Sequence, residues 1–199
     1  MASDADKRRS SYQKSLAAHG ESPQALQWQD YSTAARRYRQ LVADIEVTGK
    51  TVLDVGCGMG DLLPYLYAQT TDFTYRGIDI TPEFIEIARK RYDGHRFDIS
   101  DLFTDGLDAT YDIVLCSGVL NAATPGWQQN RLKMIERLFS YAKEALVFNM
   151  AGSLESPHES HGVGYADARD ILDFCTSLTP KVIFRNHYHG RDFTIALFK

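Results

Sequence analysis

The sequence contains little cysteine: only Cys57, Cys116 and Cys175 occur in 199 residues. Three widely separated cysteines favour neither a disulfide framework nor a four-ligand zinc site. The sequence also lacks an apolar run of membrane-spanning length, and no apolar stretch follows the basic residues near the N-terminus as it would in a signal peptide. We therefore expect a cytoplasmic protein with reduced cysteines and no membrane partner.

An excess of positive charge is missing as well. The formal net charge is -4, and no long basic block interrupts the sequence. Proteins that grip the phosphate backbone of nucleic acids usually show such a block, so DNA is not expected as a partner. With 44% apolar and 24% charged residues, the composition is that of one globular domain with a sizeable core.

The most informative stretch is TVLDVGCGMGDLL at residues 51–63. Its apolar residues predict a buried parallel strand, which ends in a turn containing Gly56, Gly58 and Gly60. Glycine tolerates positive φ and carries no Cβ, so a ligand can approach the backbone closely there. We expect the turn to open a helix running to Gln69 and to form part of a binding site.

Acidic residues around this turn indicate the kind of ligand. The third glycine of a dinucleotide-binding fingerprint is replaced by Asp61, and Asp54 precedes the first glycine, so a pyrophosphate would meet carboxylates. Roughly 20 residues further on, Asp79 ends a second apolar strand and can accept hydrogen bonds from both ribose hydroxyls. These residues favour a nucleoside with a cationic, phosphate-free tail, which describes S-adenosylmethionine (SAM), and they disfavour an NAD-dependent oxidoreductase.

Four motifs resemble those of the class I SAM-dependent methyltransferases: LDVGCGMG at 53–60, GID at 77–79, FDISDL at 97–102 and YDIVLCSGVLN at 111–121. The segments HGESPQALQW and YHGRDFTIALFK are similar to a bacterial subgroup of small methyltransferases. The resemblance implies a Rossmann-like three-layer α/β sandwich with a seven-stranded, mostly parallel sheet. Its implied strand order is 3-2-1-4-5-7-6, with the last strand antiparallel. We expect one domain over residues 1–199, divided into an N-terminal helical cap (1–46) and a Rossmann-like core (47–199). Residues 1–8 are expected to be frayed and a short helix is expected over Tyr12–His19. The resemblance implies that the N-terminal helices lie across the cofactor.

The resemblance also implies a cofactor site for SAM and for its product, S-adenosylhomocysteine. Asp98, with the backbone of Ile99, would recognise the adenine amino edge, and Asp101 is the rival for that role. Arg37, on a helix predicted over Thr33–Ile45, is expected near the cofactor carboxylate. The full set of expected cofactor residues is Arg37, Asp54, Gly56, Cys57, Gly58, Gly60, Asp79, Ile80, Asp98, Ile99, Ser117 and Gly118.

Two polar segments are expected on the acceptor side. The glycine-rich stretch at 150–166 has the composition of a mobile lid, and a hairpin turn at 186–191 would lie at the carboxyl ends of the parallel strands. Histidine suits a base near neutral pH, so His189 and then His187 are the first candidates, followed by His158 and His161. The predicted substrate pocket contains Trp28, Tyr31, Asn121, Tyr165 and Tyr188.

Each of these residues also has a plainer interpretation, as a surface-loop histidine or as an aromatic side chain packed on the sheet. The histidine pairs have spacings that zinc accepts, but no supporting pattern accompanies them, so no metal is predicted.

The substrate is a small organic molecule on this interpretation. The fourth strand is not followed by the Asn/Asp-Pro-Pro-aromatic tetrapeptide of the amino-group methylases, and Cys116 lacks the preceding proline of the cytosine-carbon enzymes. A protein or RNA acceptor is the first alternative, and a non-catalytic SAM-binding module is the second. An open acceptor pocket would favour an enzyme, whereas a pocket filled by bulky side chains would favour the binding module. The sequence leaves the oligomeric state open.

Overall fold

The main sheet is mostly parallel and runs through the middle of the molecule. A computed structural model describes residues 4–107 and 109–199. The strands of the main sheet are β1 (Lys50–Val55), β2 (Phe73–Asp79), β3 (Arg96–Ile99), β4 (Tyr111–Ser117), β5 (Ala142–Ser153), β8 (Val182–Arg185) and β9 (Asp192–Phe198). Its order is β3-β2-β1-β4-β5-β9-β8, with β9 antiparallel to both neighbours. Because β8 and β9 are the sixth and seventh strands of this sheet, the predicted order 3-2-1-4-5-7-6 is confirmed.

Helices cover both faces of the sheet. They are α1 (Asp4–His19), α2 (Tyr31–Val42), α3 (Leu63–Tyr67), α4 (Pro82–Arg91), α5 (Trp127–Tyr141) and α6 (Ala168–Leu178), with 3-10 turns at Pro23–Leu26 and Val119–Asn121. One apolar cluster contains Leu138 of α5 and Ile171 of α6, and the other contains Leu41, Leu63 and Ile85 from α2, α3 and α4. The three-layer sandwich is therefore confirmed. Within the described residues, no helix is both long and apolar enough to cross a membrane.

Two helices differ from the sequence prediction. The helix α1 begins at Asp4, although residues 1–8 were expected to be frayed; residues 1–3 lie outside the described part of the chain. The helix expected from Gly60 to Gln69 is restricted to Leu63–Tyr67. Positive φ at Gly58 (+53°) and Gly60 (+82°) explains the late start, because a right-handed helix cannot contain residues in that conformation.

The predicted lid at 150–166 is not an irregular loop. Strand β5 continues to Ser153, and a hairpin of β6 (His158–Ser160) and β7 (Val163–Asp167) follows. Strand β7 pairs in parallel with the end of β5 and antiparallel with β6. The hairpin loop is His161-Gly162, with φ of 50° and 77°, the backbone of a tight turn that matches strand twist. The polar stretch therefore contains a hairpin with a two-residue loop, and its role as a mobile lid stays a prediction.

Candidate active site

A cavity of about 430 Å³ lies where β1, β2 and β4 end. This is the carboxyl edge of the parallel strands, where open α/β sheets bind ligands, and the volume is in the range of small-molecule sites. The 3-10 turn at Val119–Asn121, helix α1 and the β6–β7 hairpin complete the wall. Of the predicted site residues, the cavity wall contains Trp28, Arg37, Gly56, Cys57, Asp79, Ile80, Ser117, Gly118 and Asn121.

Two glycines keep the cavity open. Gly56 has φ of +72°, and a Cβ there would lie 2.1 Å from Cγ2 of Val119. Gly118 has φ of +75°, and its Cβ would lie 3.3 Å from the Trp28 ring. Side chains at either position would close the space between the ends of β1 and β4. The glycine requirement predicted at Gly56 thus has a steric cause.

Asp79 is held with its carboxylate at the cavity wall. One oxygen accepts a hydrogen bond from the Gly58 N–H at 3.0 Å, and the other accepts one from the Thr81 N–H at 2.8 Å. A carboxylate has about four lone-pair sites, so two acceptor sites remain. Burial raises the pKa of Asp79, while the Thr81 and Gly58 hydrogen bonds oppose that rise. The geometry suits the binding of two neighbouring hydroxyls.

Asp54, Gly58 and Gly60 lie behind the cavity wall. Asp54 is 2% exposed and accepts a hydrogen bond of 2.7 Å from the Tyr75 hydroxyl. Burial raises the pKa of Asp54 to about 7. Gly58 and Gly60 pack against Leu26 and Tyr92, where a Cβ would come within 2.7 Å and 3.0 Å. Their roles here are to shape the turn.

The predicted adenine contacts divide between the two candidates. Asp98 lies outside the cavity wall and forms ion pairs with Arg76 at 2.7 Å and Arg96 at 2.8 Å. Ile99 is 50% exposed and also lies outside the wall. Asp101, the rival, lines the cavity and forms an ion pair of 3.3 Å with Arg8. The two acids therefore differ in their access to the cavity, and the assignment of either acid to the adenine edge stays a prediction.

Arg37 lines the cavity, but its guanidinium already has a partner. Nε donates to one oxygen of Asp192 at 2.9 Å and Nη2 donates to the other, so the pair is bidentate. The guanidinium also lies 4.3 Å from the centre of the Trp28 ring. The Asp192 contact was not visible from the sequence, because 155 residues separate the two side chains.

The opposite side of the cavity has a polar wall. Asn121 accepts a hydrogen bond from the Ala151 N–H at 2.8 Å, and Ser117 donates to Asn149 at 3.0 Å. Next to them, the loop of the β6–β7 hairpin contributes His161. His161 is thus a histidine at the cavity wall, although the sequence ranked it behind His189.

The remaining predicted residues lie outside the cavity wall. Tyr31 is 70% exposed. Tyr165 stacks on His158 with ring centres 4.8 Å apart, and the Tyr188 hydroxyl lies 2.8 Å from Oγ1 of Thr194. The ring of His187 packs edge-on against Tyr188. The side chains of Tyr165, Tyr188 and His187 therefore pack within the two hairpins instead of lining the cavity.

His189 has an indirect connection to the cavity. Its Nδ1 lies 3.0 Å from Asp192, which also holds Arg37. The same Nδ1 accepts a hydrogen bond from the Arg191 N–H at 3.2 Å. The C-terminal turn therefore lies beside the Arg37–Asp192 pair without reaching the cavity itself.

Sequence reasoning missed the contribution of α1. Its residues Arg8, Ser11 and Tyr12 line the cavity, and Nε of Arg9 donates to the Ile80 carbonyl at 2.9 Å. The sequence of this helix has no apolar stripe that would predict it, because its contacts with the site are largely polar. The only usable signal was a general expectation that N-terminal helices cross the site. Tyr38 of α2, a pocket candidate on the predicted N-terminal helix, also lines the cavity. The other lining residues outside the predicted site set are Lys7, Leu26, Gln27, Val55, Ile78, Phe84, Ser100, Leu102, Phe103, Val119, Ala122, Ala123, Thr124, Met134, Gly162 and Val163.

The cavity fits the cofactor that the motifs imply. Asp79 offers free acceptor sites, Gly56 and Gly118 line the cavity without side chains, and Asp101 provides a polar edge near the end of β3. No group of three or more histidine, cysteine, aspartate or glutamate side chains with the arrangement of a metal site occurs in residues 4–107 and 109–199. The donors present are those of a nucleoside site.

Comparison with known sequences agrees with the motifs. Residues 53–145 match a family described as "Methyltransferase domain". A protein of Mycobacterium tuberculosis named as a methyltransferase is 27% identical over 155 residues, which cover 75% of this chain and 93% of that protein. The trans-aconitate 2-methyltransferase of Rhodopseudomonas palustris is 27% identical over 143 residues, covering 70% of this chain. This chain spans 53% of the length of that enzyme.

Comparison with solved structures supports the fold. The magnesium protoporphyrin IX methyltransferase of Synechocystis with bound SAH superimposes with a TM-score of 0.63 at 20% identity, covering 81% of this chain and 80% of that one. A complex of DhpI with SAM and HEP gives a TM-score of 0.68 at 15% identity, covering 98% of this chain and 99% of that one. At these identities the likeness concerns the arrangement of strands and helices.

Proposed function

This chain is a class I SAM-dependent methyltransferase, and from this premise we propose that its methyl acceptor is a small organic molecule. One observation carries the proposal. A single cavity of about 430 Å³ runs from the cofactor residues at the ends of β1 and β2 to the polar wall around Asn121 and His161. A small molecule suits a cavity of that size better than a protein segment or an RNA nucleotide with its neighbours.

The residues at the two ends of the cavity have different tasks. Asp79 would hold the ribose hydroxyls, the Gly56 turn would hold the amino-acid end, and Asp101 with the adjoining backbone would hold the adenine edge. Trp28, Asn121 and His161 would surround the acceptor. Bound SAM supplies an electrophilic methyl group on a sulfonium centre. The chain aligns the acceptor with that group and excludes water, and these two effects provide most of the rate enhancement in such displacements.

A general base is required only when the acceptor atom carries a proton. His161 is among the residues that line the cavity, whereas His189 contacts Asp192, His187 packs on Tyr188, and neither histidine lines the cavity. We therefore place His161 before His189 for the removal of a proton. The sequence places His189 first because its hairpin turn is expected at the carboxyl ends of the parallel strands, but this position does not decide which of two hairpins reaches a cavity.

The acceptor side is open, and this counts against a non-catalytic SAM-binding module. In such a module, large side chains would fill the space beside the methyl group. Ser117, Gly118 and Ala122 are small and line the space next to Asn121. The protein or RNA alternative would require an open groove for the rest of the macromolecule.

Cofactor binding is tested with Asp79→Asn. We expect SAM affinity to fall by about 1.5–3 kcal/mol, because a charged acceptor of the ribose hydroxyls is lost. Asp98→Asn, in the neighbouring strand but outside the cavity, is the matched control and should bind as the parent does. Isothermal titration calorimetry with SAM and SAH measures both variants. An unchanged affinity in Asp79→Asn would remove Asp79 from the site.

The choice of base is tested with His161→Asn. Asparagine tolerates the positive φ of this position, so the hairpin turn is retained while the imidazole is removed. With an acceptor identified by screening for SAH release, we expect kcat to fall roughly 10²-fold or more if the acceptor is protonated. His189→Ala is the comparison. A large loss in His189→Ala with none in His161→Asn would reverse the assignment.

A further inference from the structure

Arg131 on α5 is a buried cation with unused hydrogen-bond donors. The residue is 3% exposed, and Nη2 donates to the Gly164 carbonyl at 2.9 Å. Nε and Nη1 are shielded from solvent and have no hydrogen-bond partner among the described residues. Leaving such donors unpaired in a protein interior is costly, and more so on a charged group. Another group is therefore expected to complete this site.

The surroundings keep Arg131 cationic but do not neutralise it. Its guanidinium lies 4.1 Å from the centre of the Trp127 ring. Gly164 allows this packing, because a Cβ there would come within 2.8 Å of Trp127 and 3.0 Å of Arg131. Burial lowers the pKa of Arg131 to about 10, so the side chain remains charged at neutral pH. An aromatic face compensates only a part of the lost hydration.

A second arginine approaches the same place. A recess of about 20 Å³ is lined by both Arg131 and Arg8, and Nε of Arg8 is also buried without a partner among the described residues. Asp101 forms an ion pair with Arg8, but neither aspartate nor glutamate is among the described residues that line the recess. Two arginines with unpaired donors therefore face one recess that has no acid in its wall.

The recess adjoins the main cavity. Both spaces share the wall residues Arg8, Phe103, Val119, Ala122 and Thr124. A ligand in the main cavity can therefore extend one group toward Arg131 past Ala122 and Thr124. The recess holds about one water molecule at its present size, so a larger group requires a shift of the Arg8 side chain, which is 21% exposed.

We propose that the methyl acceptor carries an oxyanion, a carboxylate or a phosphate-type group, which binds between Arg131 and Arg8. This inference rests on the proposed function and specifies its substrate class. Nη2 of Arg131 carries two hydrogens, and one of them is donated to the Gly164 carbonyl. The other hydrogen points to the same side as an N–H of either Nη1 or Nε, and both of these nitrogens lack a partner among the described residues. One complete guanidinium fork is therefore left, and it matches the two oxygens of such a group.

The oxyanion is an anchor and not the methylated atom. Lone pairs that accept hydrogen bonds from two guanidinium groups are poorer nucleophiles, since their charge is already stabilised in the ground state. The acceptor atom is a second heteroatom or carbon of the same molecule, placed in the main cavity. Arg131 is accordingly a substrate-binding residue that sets which molecules are accepted.

Direct anion binding is the first test. The full chain saturated with SAH is titrated with inorganic phosphate and with malonate, and sodium chloride at equal ionic strength serves as the reference. We expect saturable binding by the parent and by Lys133→Gln, which removes a charge from the exposed face of the same helix. Binding should be at least about tenfold weaker in Arg131→Gln and in Arg8→Gln.

Each outcome is decisive. The inference is overturned if chloride binds as well as phosphate and malonate do. It is also overturned if the parent and Arg131→Gln bind the oxyanions equally well. If Arg131→Gln fails to bind SAH because it is misfolded, Arg8→Gln decides, since Arg8 lies on a surface helix. A chain that binds SAM but no oxyanion contradicts the anchor and leaves the proposed function standing. A chain that does not bind SAM contradicts the proposed function itself.

A paired acceptor screen separates the two oxyanions. Carboxylic acids are compared with their primary amides, and phosphate monoesters with the parent alcohols, by the release of SAH from SAM. We expect kcat/KM to be at least about tenfold higher for the anionic member of each accepted pair, because its KM is lower. In Arg131→Gln, this difference in kcat/KM between the anionic and the neutral member should vanish. Whichever pair is accepted identifies the anion. Equal turnover of charged and neutral members in the parent would overturn the anchor.

Discussion

Burial raises the pKa of several side chains packed around the glycine turn. Asp54 is the penultimate residue of β1 and lies outside the cavity wall. Burial raises its pKa to about 7, while the Tyr75 hydroxyl opposes that rise. Burial also raises the pKa of Cys57 and of Tyr75 well above their usual ranges. The sequence shows an acid two residues before Gly56 and suggests a ligand contact. The structure instead makes Asp54 a buried acid that is half protonated near neutral pH.

The pKa of Asp54 predicts a pH-dependent stability. A folded-state pKa above the usual value of 3.8 means that folding favours the protonated acid. The stability from this group is complete below pH 4 and is lost as the pH rises toward 7, at up to about 1.4 kcal/mol per pH unit. Asp54→Asn should therefore gain free energy of unfolding relative to the parent between pH 5 and pH 8.

Urea unfolding of both proteins at the two pH values measures this difference. The comparison between parent and variant cancels the contributions of other titrating groups. Asp112→Asn is a suitable control, because the hydrogen bonds from Thr51 lower the pKa of that partly buried acid to about 2. An Asp54→Asn difference that is the same at both pH values would contradict the raised pKa.

Among the structural elements, the turn after β1 packs closely against the turn after β4. This packing requires a glycine at position 56, where the two turns come closest. The N–H of Gly56 donates to the Ile78 carbonyl at 2.8 Å, which ties the first turn to β2. On the other side, Val119 fills the space where a Cβ on residue 56 would lie. The turn is therefore fixed by two neighbouring strands and not by its own sequence alone.

Gly56→Ala should destabilise the fold by at least about 2 kcal/mol, from a left-handed backbone and a close contact with Val119. Gly94→Ala, where a Cβ would meet open space, is the control and should be nearly neutral. Adding Val119→Ala to Gly56→Ala should restore the steric part of the loss but not the backbone part. Thermal unfolding of the three variants and the parent gives both parts. A double variant no more stable than Gly56→Ala would contradict the steric part.

Helix α1 shows why an element can be missed. It is attached to the site by polar contacts, among them Arg9 to the Ile80 carbonyl at 2.9 Å and Gln13 to Glu83 at 2.7 Å. Apolar contact is limited, although Tyr12 packs edge-on against Phe84. Helical periodicity detects a buried apolar stripe, so a helix held by polar contacts gives a weak signal. The C-terminal half of α1 was predicted, whereas the half carrying Arg8 was not.

At the scale of the whole molecule, the ion pair of Arg37 and Asp192 joins α2 to β9. Asp192 is 2% exposed and Arg37 is 15% exposed, so the pair is largely removed from water. Breaking a buried pair leaves one charge uncompensated, whereas replacing both partners by apolar residues removes the desolvation cost as well. The pair therefore couples the N-terminal part of the chain to the C-terminal strand.

Asp192→Asn should lower the free energy of unfolding by about 3 kcal/mol, and Arg37→Met by a similar amount. Arg37→Met/Asp192→Leu should lose less than the sum of the two single variants. Chemical unfolding closes this double-mutant cycle, and additive losses would show that the two side chains are not coupled. Calorimetry with SAM on Arg37→Lys then tests the predicted contact with the cofactor carboxylate, because lysine keeps the charge but not the planar fork.

The strand order and the class of ligand were open to prediction because their signals are local. A run of apolar residues from Val52, a glycine turn and an acid at Asp79 are each contained in a few neighbouring residues, and right-handed crossovers then leave few topologies. The division into a cap at 1–46 and a core at 47–199 stays a prediction.

Local sequence patterns identify the residues at the ends of the parallel strands, and therefore the place where a cofactor can bind. They do not show which residues line that cavity, namely Asp101 and not Asp98, and His161 and not His189, or that Arg131 and Arg8 line the adjoining recess. The physical reason is the range of the interactions. Strands and turns follow from contacts between residues close in sequence, whereas the cavity wall depends on side chains from α1, α5 and two hairpins. Their relative positions are set by packing against the same sheet, and no local pattern of residues encodes it.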